Sequence, residues 1–185
     1  IAGKQDAGKN ELAEYLSERA GAHVLNTGDL VRKLADDEGV PRTRPNLHDV
    51  ASELIARRGE DYLARRLIAR IRDKGWEKVV VTGLRTPADV KCLRDEYGDA
   101  FTLVAVVVGD PHVRFDRAKK RQALRDMDTF EDFLEQDQVE EDLFDLEATL
   151  KQADITVRND SSREDFHSKA GDTVLPVFGE GTRHA

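Results

Sequence analysis

The sequence predicts an α/β fold: a parallel sheet between two layers of helices. Three observations carry that reading. Runs rich in β-branched residues alternate with runs of helical periodicity along most of the chain, the mark of parallel strands joined by right-handed helical crossovers. Near the start, "GKQDAGKN" sets Gly3 and Gly8-Lys9 at the spacing of a phosphate-binding loop, G-x-x-x-x-G-K-[ST], with Asn10 in the last place. The 185 residues are 39% hydrophobic and 36% charged, which suits one soluble domain large enough to bury a core.

Each element follows in order. A phosphate loop succeeds a buried strand of about five residues, and only Ile1 and Ala2 precede Gly3, so part of that strand is expected before residue 1. After it, Leu12, Ala13, Tyr15, Leu16 and Ala20 recur at helical spacing. "AHVLN" is a short strand ending at Asn26. "TGDLVRKLADDEG" reads as a second helix, with Thr27 or Asp29 at its cap and Gly39 at its end. "VPRTRPN" is a loop punctuated by two prolines. "LHDVASELIARRG" and "EDYLARRLIARIRDKG" are two helices, separated by Gly59 and closed by Gly75.

"KVVVTG" is a strand buried on both faces. "TPADVKCLRDEYG" is a helix with Thr86 as cap and Pro87 in the first turn. "FTLVAVVVGD" is the next buried strand, and "PHVRFDRAKKRQALR" a basic helix. "TFEDFLEQDQVEEDLFDLEATLKQA" reads as one long acidic helix with a partial apolar stripe. "DITVRND" is the last strand, and "SSREDFHSKAG" opens the last helix. Residues 172–185 carry no readable pattern and are expected to form a loose tail.

Charge narrows the function. With 29 basic and 37 acidic residues the net charge is −8, whereas a general nucleic-acid binder is more often basic. The arginines cluster at Arg42 and Arg44, at Arg57, Arg58, Arg65 and Arg66, and from Arg114 to Arg125. Locally positive clefts on an acidic body fit a small, highly charged anion such as a nucleotide. No apolar run reaches the ~18 residues a membrane helix needs. Neither a membrane nor a nucleic-acid partner is expected. One cysteine, Cys92, cannot form an internal disulfide, which agrees with a cytoplasmic setting. The five histidines are scattered without metal-ligand spacing. The acidic run over residues 135–147 reads as the solvated face of a helix.

The phosphate loop (Walker A) carries the first chemistry. Its glycines allow a turn whose N–H groups converge on phosphate oxygens, and the helix behind it adds a positive dipole. Lys9 reaches the β- and γ-phosphates in such a loop. Asn10 stands where Ser or Thr offers a hydroxyl to Mg²⁺; its side-chain carbonyl is also a hard oxygen ligand.

From here the chain resembles a known family. Thr-Gly-Asp-Leu-x-Arg in "NTGDLVRKL" resembles the acceptor segment of adenylate kinases and related nucleoside monophosphate kinases. In that family the Thr contacts the acceptor nucleotide and the Arg holds its phosphate, which implies those roles for Thr27 and Arg32. Asp29 resembles an acidic residue that dephospho-CoA kinases place near the reacting hydroxyl; helix capping is the equal alternative. "VVVTGLRTPADV" is similar to the Asp-Gly-x-Arg segment of small P-loop kinases near the dephospho-CoA and deoxynucleoside monophosphate kinases. Gly83 and Arg85 match, and Thr82 stands where the Asp orients a metal-bound water.

"PRTRPNLHDVASELIARRG" resembles that group's Thr-Arg-x-Asn-Leu run, and this makes Arg44 and Arg57 acceptor-phosphate candidates. "HVRFDRAKKR" carries the group's x-x-Arg-x-x-x-Arg pattern at Arg117 and Arg121, on one helix face. "ADITVRNDSSREDF" resembles the segment lining the purine of ATP, with Asn159 its most family-like residue; a turn-forming Asn is the alternative.

The resemblance covers the chain to about Phe166. It implies a three-layer P-loop nucleoside triphosphate hydrolase fold with a five-stranded parallel sheet in the order 2-3-1-4-5. It implies one kinase domain over residues 1–171, with an acceptor-binding insertion at about 28–75 and a lid at about 118–142, then a tail over 172–185. ATP and Mg²⁺ are the implied cofactors, held by Gly3, Lys4, Gln5, Asp6, Ala7, Gly8, Lys9, Asn10 and Asn159, with Asn10 as the metal ligand. A phosphate-bearing acceptor is implied on Thr27, Arg32, Arg44, Arg57 and Arg85, with Lys9, Arg117, Arg121 and Asp29 as the catalytic set. The expected activity is phosphoryl transfer to a nucleoside or deoxynucleoside monophosphate. Dephospho-CoA kinase is the nearest alternative. A nucleotide-binding regulatory module without kinase activity is a third reading, because Asn10 and Thr82 alter two usual metal anchors. The oligomeric state is left open.

Overall fold

Four short parallel strands form where the β-branched runs lie: β1 (His23–Asn26), β2 (Val79–Thr82), β3 (Val104–Val107) and β4 (Ile155–Arg158). The computed structural model describes residues 1–120 and 129–179, apart from the Arg44 side chain. In it β1 pairs with β2, His23 opposite Val79, and β3 pairs with β4, Val104 opposite Ile155. Ala2 lies between the two pairs as a parallel bridge to Leu84 on one side and Ala105 on the other. Its N–H donates to the Val104 carbonyl and its carbonyl accepts from Val106 N–H, both at 2.9 Å. The described ladders are therefore two strand pairs with Ala2 between them, not one ladder of five strands.

The helices are α1 (Lys9–Ala20), α2 (Thr27–Asp37), α3 (Arg44–Arg58), α4 (Tyr62–Lys74), α5 (Pro87–Tyr97), α6 (Pro111–Lys120), α7 (Phe130–Phe144), α8 (Leu146–Leu150) and α9 (Arg163–Thr173). They cover both faces of the strands. Leu12 and Leu16 of α1 and Phe166 of α9 pack with Val80, Val106 and Val157 on one face. Ala64 and Ile68 of α4 and Val90 and Leu93 of α5 pack with Leu84 and Leu103 on the other. A third cluster joins α2, α3 and α7 through Val31, Ala35, Val50, Ala51 and Phe144.

Local chemistry moves several boundaries. The α2 cap is Asn26, whose side chain accepts from Gly28 N–H at 2.8 Å, so neither Thr27 nor Asp29 serves as the cap. Helix α3 begins inside the proline loop, because Thr43 caps it and Pro45 fits the first turn. The expected long acidic helix is broken at Asp145, which adopts a left-handed φ of 52° and caps α8 through its own carboxylate. Part of the described stretch 172–179 is packed: Val174 is buried, and Leu175 and Phe178 lie against the α1–α9 core.

The acidic run is not wholly solvated. Phe133, Asp137, Glu140 and Phe144 fall on one stripe of α7, and all four side chains are buried. Arg114 of α6 grips Asp137 with both ends of its guanidinium, at 3.0 and 2.5 Å. The same guanidinium lies 5.0 Å over the Phe133 ring and donates to the Gln5 carbonyl at 3.3 Å. The pair thus fastens α6 and α7 to the loop over residues 3–10.

Removing one partner of a buried ion pair leaves an uncompensated charge and costs about 3–5 kcal/mol. Asp137→Asn is expected to lower the unfolding free energy by roughly that amount in urea titrations at unchanged m value. A change within about 0.5 kcal/mol, the range of ordinary surface substitutions, would show that the pair does not hold these helices.

Candidate functional site

The loop between Ala2 and α1 has the backbone of an anion cradle. Gly8 caps α1 with φ 107°, offering no side chain to the first-turn N–H groups. Those donors and the helix dipole face the loop interior. A Cβ on Gly8 would lie 2.3 Å from Asn159 Nδ2, and one on Gly3 would lie 2.5 Å from the Val106 carbonyl. Gly3 is therefore fixed by close backbone approach, and Gly8 by its left-handed φ and the buried Asn159 side chain against it. Lys9 folds back over the loop and donates to the carbonyls of Gly3 and Lys4 at 2.6 and 2.7 Å, so its ammonium is held on the loop's own backbone.

The far wall comes from β4 and α6. Asn159 is buried and donates to the Ala7 carbonyl at 2.8 Å. Arg117 donates through Nη2 to the carbonyl and the side-chain oxygen of Asn159, at 2.9 and 3.2 Å. Burial lowers the pKa of the Arg117 guanidinium, and its Nη1 is a buried donor with no hydrogen-bond partner among the described residues. A buried, unsatisfied cationic donor beside the loop fits an anionic nucleotide. Arg121 lies outside the described residues.

The metal anchors differ from the usual pair. Asn10 is exposed at the second position of α1. Thr82 is buried and its hydroxyl is 3.4 Å from the Leu25 carbonyl. No group of three or more His, Cys, Asp or Glu among the described residues could hold a metal. The exposed Asn10 amide oxygen is a hard donor of the kind Mg²⁺ takes, and it could serve a metal held chiefly by phosphate oxygens.

A second compartment opens beside the loop. A cavity of about 230 Å³ lies between α2, α3, α7 and the turn after β2. Thr27 at its base is buried and donates to the Gly83 carbonyl at 2.6 Å. Gly83, at φ 82°, has no room for a Cβ, which would meet Thr27 Oγ1 at 2.5 Å. Gly83 N–H donates to the Ile1 carbonyl at 3.2 Å, so the cavity floor and the approach to the phosphate loop share one hydrogen bond. Arg32 and Arg85 line the cavity as their sequence positions implied, and Arg42 joins them.

Other expected residues are placed differently. Arg57 is exposed and paired with Glu53, away from the cavity lining. Arg44 opens α3 by its backbone, and its side chain lies outside the description. Asp29 is exposed and holds Arg32 at 2.5 Å.

Two cavity carboxylates, Glu140 and Asp89, were absent from the sequence reading. Glu140 reaches in from α7 and meets Arg85 at 2.9 Å and His48 at 3.4 Å. Its signal was the stripe through Phe133 and Phe144, which passes through Asp137 and Glu140. Asp89 caps α5 in a box with Thr86, and its carboxylate accepts from the N–H groups of Arg85 and Thr86. Burial pushes its carboxyl up, against those hydrogen bonds, which lower it.

A family model described as an AAA domain matches residues 6–133. The UPF0200/UPF0201 protein of Archaeoglobus fulgidus is 37% identical over 92% of this chain, and the chain spans about half, 53%, of that relative's length. The UPF0200 protein of Methanosarcina barkeri is 33% identical over 89% of this chain and 87% of its own. Among solved structures, shikimate kinase from Acinetobacter baumannii in complex with shikimate aligns with a TM-score of 0.55 at 16% identity, covering 95% of this chain and 90% of that one. A gluconokinase from Sinorhizobium meliloti aligns at 0.51 and 15% identity, covering 96% and 89%. At such identities the likeness is one of fold.

Gly8→Ala puts a Cβ into Asn159 at a left-handed φ. Its affinity for a fluorescent ATP analogue is expected to fall at least about tenfold, or 1.4 kcal/mol, in a direct titration. Unchanged affinity would contradict the cradle.

Proposed function

This chain belongs to the AAA-domain family and to the UPF0200 proteins, and from that premise we propose that it is an ATP-dependent kinase of a small phosphate-bearing acceptor, most simply a nucleoside or deoxynucleoside monophosphate. The observation that carries this reading is the arginine-lined cavity set against the phosphate loop through Gly83 and Ile1. A loop alone suits any nucleotide hydrolase. A second, cation-lined compartment beside it suits an acceptor.

In this reading the triphosphate lies on residues 3–10, with Asn159 toward the nucleoside. Asn10 would contribute its amide oxygen to a Mg²⁺ ion, which would supply positive charge at the transferred group. Lys9 leaves the carbonyls of Gly3 and Lys4 and turns its ammonium to the phosphates. Arg117 and Arg121 add charge compensation; phosphoryl transfer depends mostly on positioning and electrostatics, so no tuned general base is needed. Thr27, Arg32 and Arg85 hold the acceptor, with Arg42 in place of Arg57, and Arg44 remains a candidate. We read residues 28–75 as the acceptor-binding segment, 118–142 as the lid that excludes water, and 1–171 as one kinase domain. We also read Ala2 as part of a central strand in a five-stranded sheet of order 2-3-1-4-5.

One observation favours a second reading. Asp29 does not cap α2 and stands exposed beside Arg32, where an acid could take a proton from a hydroxyl acceptor. That geometry suits dephospho-CoA.

The test is ADP release from Mg²⁺-ATP with nucleoside monophosphates and dephospho-CoA as acceptors. Acceptor-dependent ADP is expected, falling roughly 10²–10³-fold in Lys9→Ala, the usual cost of one lost charge-stabilising donor. Tight ATP binding without turnover on any acceptor would instead mark a regulatory module. Asn10→Ser is expected to keep or raise the rate, since a hydroxyl replaces one hard oxygen by another; a loss would give Asn10 a role Ser cannot fill.

A further inference from the structure

The three arginines of the cavity are each paired to a carboxylate of this chain, and the pairs are unequal. Arg32 Nη2 meets Asp29 at 2.5 Å, and Arg42 Nε meets Asp36 at 2.7 Å. Both acids are open to solvent, with side chains 69% and 45% exposed. Such pairs contribute little and exchange readily for another anion. Arg85 is different. Its partner Glu140 is only 6% exposed and also faces His48. The Arg85 guanidinium lies 5.0 Å over the Phe144 ring, and its backbone carbonyl accepts from Thr149 Oγ1 at 2.8 Å. Glu140 cannot swing into water without dragging α7, which Asp137 holds one turn earlier.

A phosphate placed at Arg85 would therefore confront a buried carboxylate that stays where it is. Like charges brought together in a desolvated site repel strongly. At Arg32 and Arg42 the displaced acids simply return to solvent.

We propose that Glu140 is a specificity-determining residue that sets the charge class accepted at Arg85. The acceptor's phosphate is taken by Arg32 and Arg42. The buried Arg85–Glu140 pair, with His48 beside it, reads uncharged hydrogen-bonding atoms of its body. The cavity then selects a molecule with one anionic end and a neutral polar body, and it rejects a second anionic group at Arg85. This rests on the cavity being the acceptor site of the kinase reading.

Inorganic phosphate is the probe, titrated into the full chain and followed by NMR. The Gly28 and Gly83 amides report the cavity, and the Gly3 and Gly8 amides report the phosphate loop. Arg32→Gln should weaken cavity binding at least about tenfold. The double variant Arg85→Gln/Glu140→Gln removes the pair without stranding a buried charge and should change binding less than about twofold. Glu140→Gln alone frees Arg85 and should tighten binding about tenfold. If the double variant weakens phosphate as much as Arg32→Gln does, or if Glu140→Gln gives no gain, the proposal is overturned. Absence of cavity shifts in both the wild type and Glu140→Gln overturns it as well. Cavity binding that follows this pattern in a protein without acceptor-dependent ADP release would sink the kinase reading and leave the role of Glu140 standing.

Discussion

The buried pair between Arg114 and Asp137 is the contact on which the rest of the site depends. It lies under the phosphate loop, and Arg114 reaches the Gln5 carbonyl from it. Two charges without water are tolerable only when each is satisfied in place, so α6 and α7 have one relative position at this point. That position has consequences one and two turns further along α7. Glu140 arrives at Arg85 and His48, and Phe144 closes the cavity beneath Arg85. One helix thereby serves both compartments. Lys4 on the loop lies 4.0 Å from the same Asp137, so the charge balance of the loop and the placement of the cavity wall share a single carboxylate.

Much of this was legible in the sequence, for identifiable reasons. Strands announce themselves as β-branched runs, and β2, β3 and β4 lie where "KVVVTG", "FTLVAVVVGD" and "DITVRND" stand. The loop is readable because its glycines are fixed locally, Gly3 by the approach of the Val106 backbone and Gly8 by a left-handed φ of 107° with the Asn159 side chain against it. Thr86 caps α5 as its local sequence implied, and Asp89 completes the box. Thr27, Arg32 and Arg85 come together because each sits at the end of a strand or in the first turns of the helix that follows.

What was missed depends on tertiary context. Asn26, Thr27 and Asp29 can each cap a helix, and only the strand's last residue has the extended backbone that a cap requires. The acidic run looked like a solvated face because charge usually means exposure. Its inner stripe is visible only when Asp137 and Glu140 are counted along with Phe133 and Phe144, and it becomes meaningful only when Arg114 and Arg85 arrive from distant parts of the chain. Arg57 shows the converse: an arginine of suitable type turned outward to Glu53, because the helical phase of α3 points it there.

The electrostatic pattern also bears on the altered metal anchors. Thr82 is occupied within the sheet and Asn10 is exposed at the loop, so protein carboxylates contribute little to holding a divalent ion. Positive charge near the loop comes instead from Lys9, Arg117 and the α1 N-terminus. The account stands or falls on where the terminal phosphoryl group goes. Phosphorus NMR of Mg²⁺-ATP incubated with the protein and nucleoside monophosphates follows it directly. The account predicts that the γ-phosphoryl signal of ATP reappears as the β-phosphate of a nucleoside diphosphate formed from the acceptor. Its appearance solely as inorganic phosphate, at a rate indifferent to any acceptor, would contradict a two-compartment kinase.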